Sequence, residues 1–415
     1  MSHNEVHPVH LKSDNVPIAY ARVKNYTKEA YVVGAFRTPI GRRNGSLSAV
    51  HPVDLFAGLL KESVQKNRID TAALQDVIAG CVTQVGEQGA NIARNSILSA
   101  GFPETVPGTT VDRQCGSSLQ AVQFAAQGVQ SGFYDLVIAG GIESMSREGI
   151  GTNISPDRNP ITSDLEKRYS LSGNWFSQAV GAESIANKYS ITRDEMDEFS
   201  YRSHLLAAGS RDYFRGEIIP VRIRSQVGGS SNETIIENDE GPRANADLQK
   251  MKALPAAFQG LKLITAGNSS QISDGASAAI IASEEGLDRN NLKAVARFVS
   301  FSVVGVDPVT MLTGPIPATK AALDRAGMEL EDIDIFEVNE AFAPVPLAWQ
   351  REFGATERKL NPHGGAIALG HPLGATGTRI LATMINSLKH AGKKRGLIAI
   401  CEGGGMANAA IVELT

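Results

Sequence analysis

Asp135-Leu136-Val137-Ile138-Ala139-Gly140-Gly141 and Gly396-Leu397-Ile398-Ala399-Ile400-Cys401-Glu402-Gly403-Gly404-Gly405 stand at matching places in two halves of the chain. Each is a short apolar run closed by glycines, the pattern of a buried strand. Each follows an amphipathic segment of helical period that a glycine-bearing turn opens. In the first case the turn is Asp112-Arg113-Gln114-Cys115-Gly116-Ser117-Ser118, after the strand Thr109-Thr110-Val111, and Leu119, Val122, Ala126 and Val129 share one helix face. In the second, Gly364–Gly377 is glycine-rich, and Ile380, Leu381, Met384, Ile385 and Leu388 form the face. The same order of elements at similar spacing indicates an internal duplication, with a period far longer than that of solenoid repeats.

Outward from these runs the texture is the same. Ala30–Phe36, Val77–Val82, Ala294–Val304 and Ile333–Val338 read as strands. Helices are expected after His51-Pro52, over residues 90–100 and over Ile316–Ala326. Strands alternating with helices predict an α/β fold with a largely parallel or mixed sheet. Between about 146 and 266 charged residues and prolines dominate, glycines cluster at Gly228-Gly229, and helical stretches at Ala182–Lys188 and Arg193–Ala208 outnumber strands. This reads as an inserted, mostly helical and irregular segment, where function often resides.

Composition bounds the role. A chain of 415 residues holds two to four domains or one large duplicated one. With 42% hydrophobic and 20% charged residues it is neither disordered nor collagen-like. A net charge of −4 argues against sheathing nucleic acid. The 41 glycines point to tight turns and to backbone that approaches a ligand closely. Cys81, Cys115 and Cys401 are too few for a disulfide framework, so a cytoplasmic chain with reduced thiols is expected. No run of 18 apolar residues predicts a membrane span. Residues 1–29 lack the features of a secretory or mitochondrial leader and read as a flexible extension, and Glu413-Leu414-Thr415 is not the peroxisomal tripeptide.

Several residues carry potential chemistry. Cys115 stands where a helix begins, where exposed amides favour a thiolate, so it is a candidate nucleophile; a small buried core residue is the other reading. His371, held between Gly370 and Pro372, could act as a general base towards a thiol. His363 lies eight residues earlier, and that spacing fits neither a helical pair nor the usual zinc patterns. Cys401 ends a strand before three glycines whose N–H groups could face a ligand; it is either a second acid/base thiol or a core residue. Asn339 could hold a water or a carbonyl oxygen, and Asn339-Glu340-Ala341-Phe342-Ala343 by itself reads as a helix cap with an acidic first turn. A dinucleotide reading of Gly403-Gly404-Gly405 fails, because only ten residues follow and no ribose-binding acid can lie about 20 residues on.

Taken together, Val111–Leu119, Asn339–Ala343, Gly364–Gly377 and Cys401–Met406 resemble the thiolase family, in particular the 3-ketoacyl-CoA thiolases. Weaker likenesses are Phe36-Arg37-Thr38-Pro39, Gly141–Ser146 and Thr265–Asn268, and the likeness runs through residues 30–415. The resemblance implies a five-layer α/β/α/β/α fold of two duplicated βαβαβαββ halves with an inserted loop domain. It divides the chain into residues 30–145 with 267–290, the loop domain 146–266 over coenzyme A, and 291–415. It implies CoA-dependent thiolysis of 3-ketoacyl-CoA, with coenzyme A as substrate and no resident cofactor or metal, in a homodimer or homotetramer. By the same resemblance Cys115 takes the acyl group, His371 deprotonates Cys115 and later the coenzyme A thiol, and Cys401 is the acid/base at the acetyl-CoA carbon. Asn339 holds a water that polarises a thioester oxygen, and the N–H groups of Cys115 and Gly403 form a second oxyanion hole. Ser270, Gln178, Ala266 and Phe342 fall at positions that contact coenzyme A.

Some residues depart from the family's usual pattern: Asp112, His363, Glu402, and Ser177-Gln178 in place of a His-Met pair of biosynthetic acetoacetyl-CoA members. The last favours a degradative enzyme over a biosynthetic one. A decarboxylating condensing enzyme would pair its cysteine with two histidines, and a non-catalytic acyl-CoA carrier would have lost one of Cys115, His371 and Cys401.

Overall fold

The computed structural model describes residues 28–155, 159–171, 175–227 and 230–415. The expected extension, apart from Lys28 and Glu29, and the Gly228-Gly229 pair lie outside them.

The strands are β1 Tyr31–Arg37, β2 Gly41–Arg42, β3 Val77–Gly80, β4 Gly108–Val111, β5 Leu136–Ser144, β6 Val221–Val227, β7 Ser230–Ile236, β8 Ser273–Ala282, β9 Ala296–Gly305, β10 Ile335–Val338, β11 Arg395–Glu402 and β12 Met406–Leu414. The main sheet runs β10-β11-β12-β9-β1-β8-β5-β3-β4, with β2 on β8. Its two halves repeat one plan. β3 is parallel to β5, β5 antiparallel to β8, and β8 antiparallel to β1. In the same way β10 is parallel to β11, β11 antiparallel to β12, and β12 antiparallel to β9. The halves join edge to edge only where Tyr31 and Val32 face Arg297 and Ala296.

Successive residues of a strand face opposite sides, so a strand covered on both faces feeds two cores. Val137 and Ala139 of β5 and Ile398 and Ile400 of β11 enter one central core. That core also holds the buried faces of two helices, Ser117–Gln130 and Thr376–Ala391. The alternate residues of β5 and β8 pack outward under helices Pro52–Lys66 and Ile92–Ser99. Those of β11 and β12 pack outward under Gln178–Lys188, Pro315–Ala326 and Pro344–Phe353. Five layers result, as expected, with the glycine-opened helices in the middle one.

The inserted segment is mainly helical, through Gln178–Lys188 and Arg193–Gly209, with the β6–β7 hairpin as its sheet. Arg37 fastens it to the core. The guanidinium is fully buried, donating to Glu217 at 2.6 Å and to both Asp239 oxygens at 2.6 and 2.9 Å.

Three elements differ from the sequence reading. β8, Ser-Asp-Gly-Ala-Ser-Ala-Ala-Ile-Ile-Ala, is a fully buried strand in which Ile280 and Ile281 are the only β-branched residues and seven of the ten are Ala, Ser or Gly, so it carries little of the composition that marks strands. β12 follows Gly403-Gly404-Gly405 as a hairpin return. Asn339–Ala343 ends in Ala343, the cap of the helix that begins at Pro344, but the cap makes no side-chain bond and the acidic first turn is missing: Glu340 is buried, accepting from Ser203 Oγ, Asn361 Nδ2 and the Ile367 N–H.

The two central helices meet at their N-termini. The Thr378 N–H donates to Ser118 Oγ at 3.0 Å, and a Cβ on Gly377 would stand 2.3 Å from Leu119 N. Backbone cannot give way there, so Gly377→Ala is expected to destabilise by about 1–3 kcal/mol. Gly58, in an outer helix with open space where its Cβ would be, is the contrast: Gly58→Ala is expected to stabilise by about 0.5–1 kcal/mol. Denaturant unfolding of the two variants checks both signs.

Candidate active site

Cys115 lies in the tight turn between β4 and the Ser117–Gln130 helix. Asp112 Oδ1 accepts the Gln114 N–H at 2.7 Å, and the Ser117 hydroxyl accepts from Arg113 N–H at 2.8 Å while donating to the Gln114 carbonyl at 2.6 Å. Gln114 is held in the left-handed region at φ 48°, which needs such local bonding. The helix starts at Ser117 with Gly116 as its cap, so Cys115 sits just outside it. The expected lowering of its acidity range is not found. Burial pushes the thiol up to about 12 and Glu402 adds to the rise, while the N–H groups of Cys115 and Gly403 pull it down. At rest Cys115 is therefore a thiol. Cys401, fully buried in β11, is pushed well above the ordinary range first by burial and then by Cys115, so the two sulfurs are electrostatic neighbours.

His371 is buried, and burial and then Arg379 push its imidazole down to about 3. Its tautomer follows from its bonds. Thr376 Oγ1 donates to the Pro372 carbonyl at 2.9 Å, so it accepts at 2.7 Å from an N–H on His371 Nδ1. Nε2 then keeps its lone pair and accepts from Asn339 Nδ2 at 3.3 Å. Asn339 Oδ1 is buried without a partner. A neutral imidazole with an unprotonated Nε2 is a base in the form needed to take a proton.

The two catalytic candidates reach one cavity through their neighbours. A cavity of about 760 Å3 is lined by Gln114 and Gly403, which flank the thiols, by Leu373 of the His371 loop, and by Gln178 and Phe342. Glu143 braces this meeting. Its buried carboxyl accepts from the Val82 and Thr83 N–H groups, from Gln88 Nε2 and from the Gly374 N–H, all at about 3 Å, and so ties the His371 loop to the first half. The sequence reading quotes Glu143 without giving it a role. Its signal, a carboxylate closing a buried strand, is visible only once the partners are in place.

A second cavity of about 440 Å3 is lined by Ala266 together with Arg243, Lys250 and Gln271. Arg243 and Lys250 escape the sequence reading, since surface cations carry no signal of their own. Ser270 lines neither cavity; its N–H donates to the Ala341 carbonyl at 2.9 Å and so ties the Ala266 loop to the Asn339 segment. His363 stands apart from His371, stacked on Tyr213 at 3.8 Å with Nδ1 2.9 Å from Ser210 Oγ, so the two do not form a metal pair. Ser177 caps the Gln178–Lys188 helix.

Comparison with known proteins identifies the family. The family model for the thiolase N-terminal domain matches residues 30–285, and that for the thiolase C-terminal domain matches residues 292–414. The chain is 46% identical to a steroid 3-ketoacyl-CoA thiolase of Mycobacterium tuberculosis, over 93% of this chain and 94% of that one. It is 39% identical to a beta-ketoadipyl-CoA thiolase of Acinetobacter baylyi, over 93% and 99% respectively. The crystal structure of an acetyl-CoA acetyltransferase of Bacillus anthracis superposes with a TM-score of 0.84 at 35% identity, covering 94% of this chain and 99% of that one. The two family models, the relatives and the shared fold place this chain in the thiolase family.

Proposed function

We propose that the chain is a degradative 3-ketoacyl-CoA thiolase, and that its acyl groups are larger than acetoacetyl. The observation that carries this reading is the roughly 760 Å3 cavity beside Cys115, whose walls include Ile150, Trp175, Phe176, Phe258 and Phe342. That volume is in the range that holds a drug-sized ligand, so with the pantetheine arm along Gln178 and Phe342 the aromatic walls still leave room for an acyl group longer than four carbons. The steroid and beta-ketoadipyl names of the relatives point the same way. Gln178 and Phe342 would line the path of the pantetheine arm, with Ser270 and Ala266 further along it. Arg243 and Lys250 at the second cavity would face the phosphates of coenzyme A.

The steps follow from the groups present. Cys115 Sγ attacks the 3-keto carbon as His371 Nε2 takes its proton. The C2–C3 bond breaks, its electron pair goes to the acetyl-CoA enolate, and Cys401 protonates C2. The acyl group remains on Cys115, its oxygen towards the N–H groups of Cys115 and Gly403. Asn339, with an unpartnered Oδ1 beside His371, would hold the water that helps His371 stabilise the enolate oxygen. The His371 proton then resets Cys401. His371 takes the proton of the incoming coenzyme A thiol and returns it to Cys115 as the new thioester leaves. Coenzyme A enters as substrate, and the sequence of steps calls on no resident cofactor or metal. A homodimer or homotetramer remains the assembly the family resemblance implies.

Two outcomes test this. Thiolysis of a panel from acetoacetyl-CoA through long-chain to ring-bearing 3-ketoacyl-CoA should rise beyond acetoacetyl-CoA, and Cys115→Ala should lower it by at least about a thousandfold. Activity confined to acetoacetyl-CoA would contradict the size reading. The pH dependence follows from His371. The free enzyme's kcat/KM reports its essential base, and burial holds that imidazole at about 3. The acid limb should therefore lie well below the ordinary histidine value of about 6.5, leaving kcat/KM nearly level between about pH 8 and about pH 5. A limb near the ordinary value would contradict the neutral-base assignment.

A further inference from the structure

Glu402 follows Cys401 at the end of β11, and none of the steps above uses it. It is fully buried, and neither carboxyl oxygen has a hydrogen-bond partner. It presses on the peptide next to the nucleophile: a Cβ on Gly116 would stand 1.9 Å from Glu402 Oε1, so only glycine fits there. Asn408 of β12 closes on the same spot, with Nδ2 2.7 Å from that Cβ position and donating to the Gly116 carbonyl at 2.9 Å. Nδ2 is thereby committed, and Asn408 Oδ1 is left buried and unpartnered. Two acceptors cannot bond each other, whereas a protonated carboxyl is a donor.

The other groups around Glu402 do not hold it charged. Arg113, at the end of β4, donates from Nη1 to Met406 Sδ at 3.6 Å, and its Nε has no partner. Asp112 is a like charge. Cys115 and Cys401 are the remaining titratable neighbours, and the charge of Glu402 raises both. Burial pushes the Glu402 carboxyl well above the usual carboxylate range, with Arg113 opposing and Asp112 adding. A buried acid kept neutral beside reacting groups is a known device of enzyme sites.

We propose that Glu402 is a positioning residue that acts through Cys115: as the uncharged acid it braces the Gly116 peptide and leaves the nucleophile free to become a thiolate, and as a carboxylate it opposes that thiolate. The inference rests on Cys115 as the nucleophile of the thiolase reading, but it can be tested without any acyl-CoA. The test is the pH dependence of Cys115 alkylation by iodoacetamide, located by peptide mass spectrometry, in the unaltered protein, in Glu402→Gln and in Glu402→Met. Both substitutions remove the charge at similar volume, so either one that folds suffices. The expected result is a midpoint at least about one pH unit lower in the variant, read as alkylation about tenfold faster at alkaline pH. A purely structural role would change the rate at every pH alike. Superimposable midpoints would overturn the proposal, whatever happens to the absolute rate. Because iodoacetamide needs no substrate, failure of thiolysis on the acyl-CoA panel would bear on the proposed function alone.

Discussion

The site depends on how closely two helix N-termini approach. Gly377 lies against the backbone of Leu119, and Thr378 bonds to Ser118, so the helices from the two halves touch at their first turns. Cys115 stands just before one helix, and the His371 loop leads into the other. Their meeting sets the proposed nucleophile and base around one cavity. Glu143 then fixes the remaining freedom, since one buried carboxyl binds the Val82–Thr83 turn and the Gly374 N–H together. Protein interiors pack densely and do not deform gradually, so such contacts hold a geometry rather than merely favour it.

Burial also decides the charge state. Enclosing Cys115, Cys401 and His371 disfavours every charged form, so the resting site is two thiols and a neutral imidazole. Such a site keeps its nucleophile protonated until a substrate is in place and a base is aligned. The N–H groups of Cys115 and Gly403 are the built-in counterweight, already directed at the sulfur. The chemistry is then proton transfer between neutral partners followed by charge stabilisation by backbone.

Much of this was legible in the sequence, for identifiable reasons. The β5 and β11 runs are apolar and closed by glycine, and their matching surroundings exposed the duplication that the sheet order repeats. Cys115 and His371 stand out as candidates because glycine-rich turns around reactive side chains are unusual, whereas the role proposed for Cys401 comes from the family resemblance. β8 was not legible, because a central strand screened on both sides needs small residues and looks like neither a helix nor a strand. In the Asn339 segment the cap is real but the acidic first turn is not, because Glu340 turns inward to three donors that come from distant parts of the chain. The acidity of Cys115 was misjudged for a similar reason: helix amides are local, while burial is set by the whole fold.

The central claim is that the duplicated fold turns Cys115 into the carrier of an acyl group. The direct measurement is intact-protein mass spectrometry after mixing with a 3-ketoacyl-CoA in the absence of coenzyme A, with peptide mapping of the adduct. The account predicts one acyl group on Cys115, discharged when coenzyme A is added. An unmodified Cys115, or an acyl group that stays in place with coenzyme A present, would contradict it.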